Sequence, residues 1–167
     1  MDFDLKLEAD YKITEQDYVN AMRLNNRMTK KGAFIFGFLT SLFLLFSISG
    51  SGAIQFISIG GAAGIILVLV FGQVIISFIA RSNYRKYKTI QESLRVGLRD
   101  DGIEFSTPDG GGLMRWEKIF KWRQNEKYLL IYSMPRLYYV IPKKIEESGF
   151  HVPTLISALR EKVGSEA

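Results

Sequence analysis

Three periodicities succeed one another along this chain. Phe3-Asp4-Leu5-Lys6-Leu7-Glu8 alternates apolar and charged side chains, which is the period of a half-buried strand and predicts one over residues 3–9. Thr14-Glu15-Gln16-Asp17 then offers a hydroxyl N-cap with acids in the first turn, so a helix starts there. It is expected to run through Tyr18, Met22 and Met28 and to join the apolar segment beyond it. From Gly32 to Ala80 no residue is charged, and only Ser49-Gly50-Ser51-Gly52 breaks the apolar run. A charge at the centre of a membrane helix costs about 2.5–3.5 kcal/mol, so a stretch this long without one is the pattern of a membrane segment.

The two halves of that stretch, 32–48 and 53–80, would extend about 26 Å and about 42 Å as helices, against a hydrocarbon core of about 30 Å. The first is barely long enough and the second must tilt or emerge. With so short a loop between them they predict an antiparallel transmembrane hairpin. A basic, aromatic juxtamembrane helix over 81–93 continues the second span.

Charge orients this hairpin. Residues 1–31 hold six basic and six acidic side chains, and residues 89–167 hold twelve and eleven. Residues 81–88 hold four bases and no acid, so most of the net +5 sits beside the apolar run. Arg23, Arg27, Lys30 and Lys31 precede it, and Arg81, Arg85, Lys86 and Lys88 come after it. Basic residues on both flanks and none in the loop place both termini in the cytoplasm. The same eight residues are candidates for contact with anionic lipid head groups, about 1 kcal/mol each near a charged surface. Tyr84, Tyr87 and Phe34 are expected as interfacial aromatics. The acidic start, Met1-Asp2-Phe3-Asp4, argues against a signal peptide. A nucleic-acid interface would want a basic face on the folded part and is not expected.

Small residues mark where membrane helices approach closely. Gly60 and Gly64 form a G-x-x-x-G, Gly72 continues that face, and Gly37 with Ser41 offers a similar pair in the first span. Packing within the hairpin is the simpler expectation for them, and self-association through Gly60 and Gly64 the alternative. No ionisable residue lies within the spans, so an ion or proton pathway is not expected.

From Leu94 the period returns to two. Asp100-Asp101-Gly102 predicts a hairpin turn between strands over 94–98 and 103–105. Pro108-Asp109-Gly110-Gly111-Gly112 predicts a looser one, with further strands at 113–116, 119–124, 128–132 and 137–141. A closing helix carries Val152, Ile156, Leu159 and Val163 on one face, with Pro153 suited to its first turn.

The Asp-Asp-Gly-Ile turn, Trp116 with Glu117-Lys118-Ile119 after it, the tyrosine-rich strand pair, Ile141-Pro142-Lys143 and the final helix, all after two apolar spans, resemble the YcxB-like family of small bacterial membrane proteins. The resemblance covers most of the chain and is most specific over 94–163. It implies a pleckstrin-homology-like (PH-like) domain over 94–167, a seven-strand antiparallel barrel or sandwich capped by the C-terminal helix. Only six strands come after the spans, so the strand at 3–9 is expected to supply the seventh. The fold class expected is therefore α+β, a transmembrane helical hairpin plus a PH-like domain.

Chemistry is sparse. The chain has no cysteine and one histidine, His151, which leaves little for a metal site or a nucleophilic triad. Gly110-Gly111-Gly112 lacks the lysine and hydroxyl of a phosphate loop. His151 reads as a surface or capping residue. Trp116 is expected in the core, Trp122 is the weaker candidate for facing a ligand, and Tyr128, Tyr132, Tyr138 and Tyr139 are expected to alternate between core and surface. No catalytic residue, cofactor or metal ligand is assigned. The expected function is a non-enzymatic binding or regulatory module at the cytoplasmic face of a bacterial inner membrane, meeting anionic lipid or a protein partner. The alternative is a structural or accessory subunit of a membrane complex or homo-oligomer; a membrane enzyme or transporter comes last.

Overall fold

A computed structural model describes residues 7–28, 30–49 and 51–167, with the side chain of Lys30 also outside the described set. Residues 3–6 of the first expected strand, and Gly50 of the expected loop, fall outside it too. The chain divides into two compact units, one of residues 1–25 and 80–167 and one of residues 26–79.

The larger unit contains two open antiparallel sheets. The first has strand order β1 (Glu8–Lys12), β2 (Ser93–Arg99), β3 (Gly102–Thr107) and β4 (Gly110–Arg115). The second is β5 (Lys121–Gln124), β6 (Tyr128–Met134) and β7 (Leu137–Pro142), each paired with its sequence neighbour. The N-terminal segment does supply a seventh strand. It pairs with β2 in the register Asp10↔Arg95 and reaches further along the chain than expected, because its alternation continues through Ala9, Tyr11 and Ile13, all buried.

Inward-facing residues of both sheets meet in one core. Val96, Ile103 and Phe105 come from the first sheet, and Trp122, Leu130, Ile131 and Val140 from the second. The Phe105 and Tyr139 rings stack with centroids 3.9 Å apart. Two helices close this core. α1 (Glu15–Asn25) buries Val19, Ala21 and Leu24 and packs on β5, β6 and β7. The C-terminal helix (Val152–Lys162) buries Val152, Leu155 and Leu159, with Pro153 in its first turn. His151 is its N-cap, the Nδ1 accepting from the Thr154 N–H at 3.2 Å.

Three expectations change. The glycines 110–112 belong to strand β4 and not to the loop, whose turn is only Pro108-Asp109. A Cβ at Gly111 would lie 2.5 Å from the Ser106 Cβ, so the close approach of β3 needs glycine inside the strand. The tryptophan expected to be the weaker candidate for facing a ligand is the core residue. Trp122 is fully buried and its Nε1 donates to the Gly164 carbonyl at 2.9 Å. Trp116 sits at the edge of the core and donates to the Asp100 carbonyl. Finally, α1 does not continue into the first apolar helix. It stops at Asn25, whose carbonyl accepts from Arg123 at 3.0 Å and whose side chain accepts from Tyr132 at 2.9 Å. A cation on the last carbonyls satisfies the helix end and complements its dipole.

The smaller unit is built from α2 (Lys30–Ser49) and most of α3 (Ala53–Lys86). Both are long and apolar enough to cross a membrane, and almost none of the residues in their apolar stretches is buried. Phe34, Phe56 and Phe78 are about three-quarters exposed. The helices touch where Phe43 lies on Gly61: a Cβ there would be 2.7 Å from the ring. Their hydroxyls close on their own backbone, Thr40 onto Phe36, Ser47 onto Phe43, Ser58 onto Ile54 and Ser77 onto Gln73.

Candidate functional site

The segment between β1 and α1 is short, and it gathers two clusters of polar residues. At the first, Glu15 in the opening turn of α1 takes a two-pronged contact from Arg85, at 3.1 and 3.3 Å, with Arg81 at 3.9 Å. Between those arginines, the Tyr84 hydroxyl donates to the Ile13 carbonyl at 2.9 Å and its ring lies 6.1 Å from that of Tyr18. Gln91 turns back to donate to the Tyr84 carbonyl, satisfying one orphan acceptor at the end of α3. These contacts brace the last turns of α3 against the start of α1.

The second cluster centres on Asp17. Thr14 and Asp17 form a capping box: the Asp17 N–H donates to the Thr14 hydroxyl, and the Asp17 carboxylate accepts from the Thr14 N–H and hydroxyl. The same carboxylate accepts from the Tyr128 hydroxyl at 2.8 Å and from the Lys144 ammonium at 2.9 Å. Burial pushes this carboxyl up, but the hydrogen bonds from Lys144, Thr14 and Tyr128 outweigh it and hold it below the usual carboxylate range. Burial, in turn, raises the Tyr128 hydroxyl.

Beside Asp17 lies a depression of about 490 Å³ whose charged lining is Asp17, Glu126 and Glu146 against Lys127, Lys143 and Lys144. Lys144 is held by Asp17, and Lys143 donates to Gln124 at 2.8 Å. A rim so balanced in charge offers no concentrated positive field for a bare phosphate. Among the described residues no three His, Cys, Asp or Glu side chains come together as metal ligands.

The basic residues read from the sequence fall into several settings. Arg81 and Arg85 are half-engaged by Glu15, and Lys86 lies 5.5 Å over the Tyr87 ring. Lys88 is exposed in a short 3-10 turn (Lys88–Gln91), Arg23 is exposed in the last turn of α1, and Arg27 and Lys31 are exposed. The Tyr84 hydroxyl is spent on the Ile13 carbonyl. Tyr128 and Tyr132 are buried, whereas Tyr138 and Tyr139 are half-buried. A Cβ on Gly37, Gly60, Gly64 or Gly72 meets nothing within 4 Å, so inside this chain the close helix contact is made one residue away, at Gly61.

Sequence reasoning does not connect Asp17, Lys144, Asn25 and Arg123. The Thr-x-x-Asp spacing marks the capping box, but nothing local marks partners 98 and 127 residues away.

These features define an α+β protein with two open antiparallel sheets, whose first strand connection contains two helices long and apolar enough to cross a membrane. The family model of YcxB-like proteins matches residues 98–150, from the end of β2 to the approach of the last helix, which bears out the resemblance carried by the turn, tryptophan and Ile-Pro-Lys motifs. No curated protein and no solved structure matches the chain.

Proposed function

We propose that the chain is a membrane-anchored, non-enzymatic binding or regulatory module. Helices α2 and α3 form the transmembrane hairpin of a bacterial inner membrane, both termini lie in the cytoplasm, and the two sheets with their C-terminal helix are a PH-like domain. The observation that carries this reading is the chain order. Strand β1 precedes the apolar helices and β2 comes after them, yet the two pair side by side, so the anchor is inserted within the domain's own first sheet. The exposure of nearly every apolar side chain on α2 and α3 supports lipid as their solvent. A four-plus-three arrangement of strands with a terminal helix supports the PH-like reading. The domain then meets a protein partner or anionic head groups, with Lys86, Lys88, Arg27 and Lys31 as the exposed basic residues nearest the ends of the apolar helices.

Topology is tested by cysteine labelling, since the natural chain has no cysteine. Ser51→Cys should react with an impermeant maleimide in intact cells and Ser165→Cys only after permeabilisation; the reverse pattern would sink the orientation. The binding role is tested by photo-crosslinking in cells and by flotation of the full chain with anionic and neutral vesicles. Capture of no protein neighbour together with no preference for anionic lipid would remove it. A second reading, an accessory subunit or a homo-oligomer joined through Gly60 and Gly64, is favoured by the open space above both glycines. Gly64→Ile should then lower the detergent-solubilised mass.

A further inference from the structure

Four strands lie at the edges of the two sheets, β1, β4, β5 and β7. Three are protected by recognisable means. The C-terminal tail covers β5, with the Ala167 N–H donating to the Trp122 carbonyl and Glu166 accepting from the Gln124 N–H. β7 ends in Pro142 and buries its second half. β1 carries Glu8, Asp10 and Lys12, and its two acids pair with Arg99 and Arg95. Among the described residues β4 has none of these devices: it is exposed at five of six positions, and residues 110–114 contain no charge and no proline. An edge left in that state is a template for another strand.

We propose that β4 is a self-pairing edge, joining two copies of this chain through antiparallel β4–β4 pairing about Gly112. The strand is complementary to itself. With Gly112 on the two-fold axis, Leu113 falls opposite the glycine at 111, Met114 opposite the glycine at 110, and Arg115 opposite Asp109 of the second copy. Each large side chain meets a residue without one, and each end of the strand meets the opposite charge. The backbone is set for it as well. The Trp116 N–H donates to the Asp101 carbonyl, and the β3–β4 register then alternates so that residues 111, 113 and 115 turn their N–H and C=O groups to the free side. In the proposed register Gly111 and Leu113 face each other with those free groups, twice per pair. Two four-stranded sheets become one of eight strands.

The pairing makes a position-specific demand that cysteine substitution can read on the full chain in native membranes. Across a non-hydrogen-bonded antiparallel pair the Cα atoms are about 4.5 Å apart, within disulfide reach. A Cβ at Gly112 meets nothing within 4 Å, so Gly112→Cys is tolerated. Mild oxidation with copper–phenanthroline should yield a dimer from Gly112→Cys. Met114→Cys should yield none, since in this register its partner is offset by four residues, about 13 Å. Adding Arg115→Asp to Gly112→Cys should cut the cross-linked fraction about tenfold by setting acid against acid. Adding Asp109→Arg as well should restore it, which a merely structural role for Arg115 would not do. A monomer from Gly112→Cys, equal cross-linking from Met114→Cys, or failure of the charge exchange to rescue would each overturn the proposal. Mass loss in Gly64→Ile reports on the helix contact and leaves this test unaffected.

Discussion

Replacing Asp17 with alanine removes the acceptor on which the start of α1, β6 and the Lys143–Ser148 turn converge. Four hydrogen bonds go: from the Thr14 N–H at 3.1 Å, the Thr14 hydroxyl at 2.7 Å, the Tyr128 hydroxyl at 2.8 Å and Lys144 at 2.9 Å. Half of the capping box survives, because the residue-17 N–H still reaches the Thr14 hydroxyl, so its loss costs about 0.5–1 kcal/mol. The Tyr128 hydroxyl, on a side chain 5% exposed, keeps only a 3.3 Å contact from Asn20, which costs roughly 1–2 kcal/mol. The Lys144 ammonium is half exposed and returns to water, so its share is below about 1 kcal/mol. Together these give about 3 kcal/mol, or about 6–24 °C in the thermal midpoint, the smaller shifts applying if the whole chain melts as one unit. The assay is thermal unfolding of the detergent-solubilised full chain monitored by tryptophan fluorescence, for which the fully buried Trp122 is the reporter. The pH dependence has a definite sign. The folded carboxyl sits below its unfolded value of about 3.9, so its contribution is present above that value and is lost as pH falls through the lower folded one. The gap between natural chain and variant should therefore hold from pH 8 to pH 5 and narrow as pH falls below about 4. A midpoint shift under about 4 °C at pH 7, or a gap that widens as pH falls below about 4, would refute the assignment of Asp17 as the joint of this network.

Other substitutions probe separate contacts. Gly102→Ala drives a Cβ into the Met114 carbonyl oxygen and should destabilise by at least about 2 kcal/mol in the same melt, while Gly112→Ala, in open space, should stay within about 0.5 kcal/mol. In the helix pair, Gly61→Val must displace the Phe43 ring and should lower the detergent melting midpoint by the equivalent of about 1–3 kcal/mol, whereas Gly60→Val should not, unless copies associate there. His151→Ala removes the N-cap of the last helix and should cost about 1 kcal/mol by the same measurement.

Much of the larger unit was legible because alternation is a local signal. The phase set by Leu7 runs unchanged through Ala9, Tyr11 and Ile13, and the six later strands overlap those that period two places, with β4 starting three residues early at Gly110. What escaped were outcomes decided by distant partners. α1 reads as continuous with the apolar run, and it stops at Asn25 because Arg123 and Tyr132 hold that residue. Three glycines in a row read as loop, yet the approach of Ser106 makes them strand. The G-x-x-x-G spacing finds a stretch rich in small residues, but the seam is chosen by where Phe43 lands, one position from the motif. Both tryptophans sit in strand-forming sequence, and only the return of the C-terminal tail to Trp122 distinguishes them.

The pairing of β1 with β2 also has a timetable. Asp10 and Arg95 are partners 85 residues apart, and both apolar helices lie between them. At a synthesis rate of about 5–20 residues per second, β1 waits about 4–17 s before its partner exists. On the proposed topology, the first sheet can close only in a chain whose two spans have gone in and come back to the same side. A chain that inserted one span alone would strand β2 across the bilayer from β1, with Ala9 and Tyr11 uncovered. On that same topology, completion of the sheet would act as a check on membrane insertion, made by the sheet domain on its own anchor.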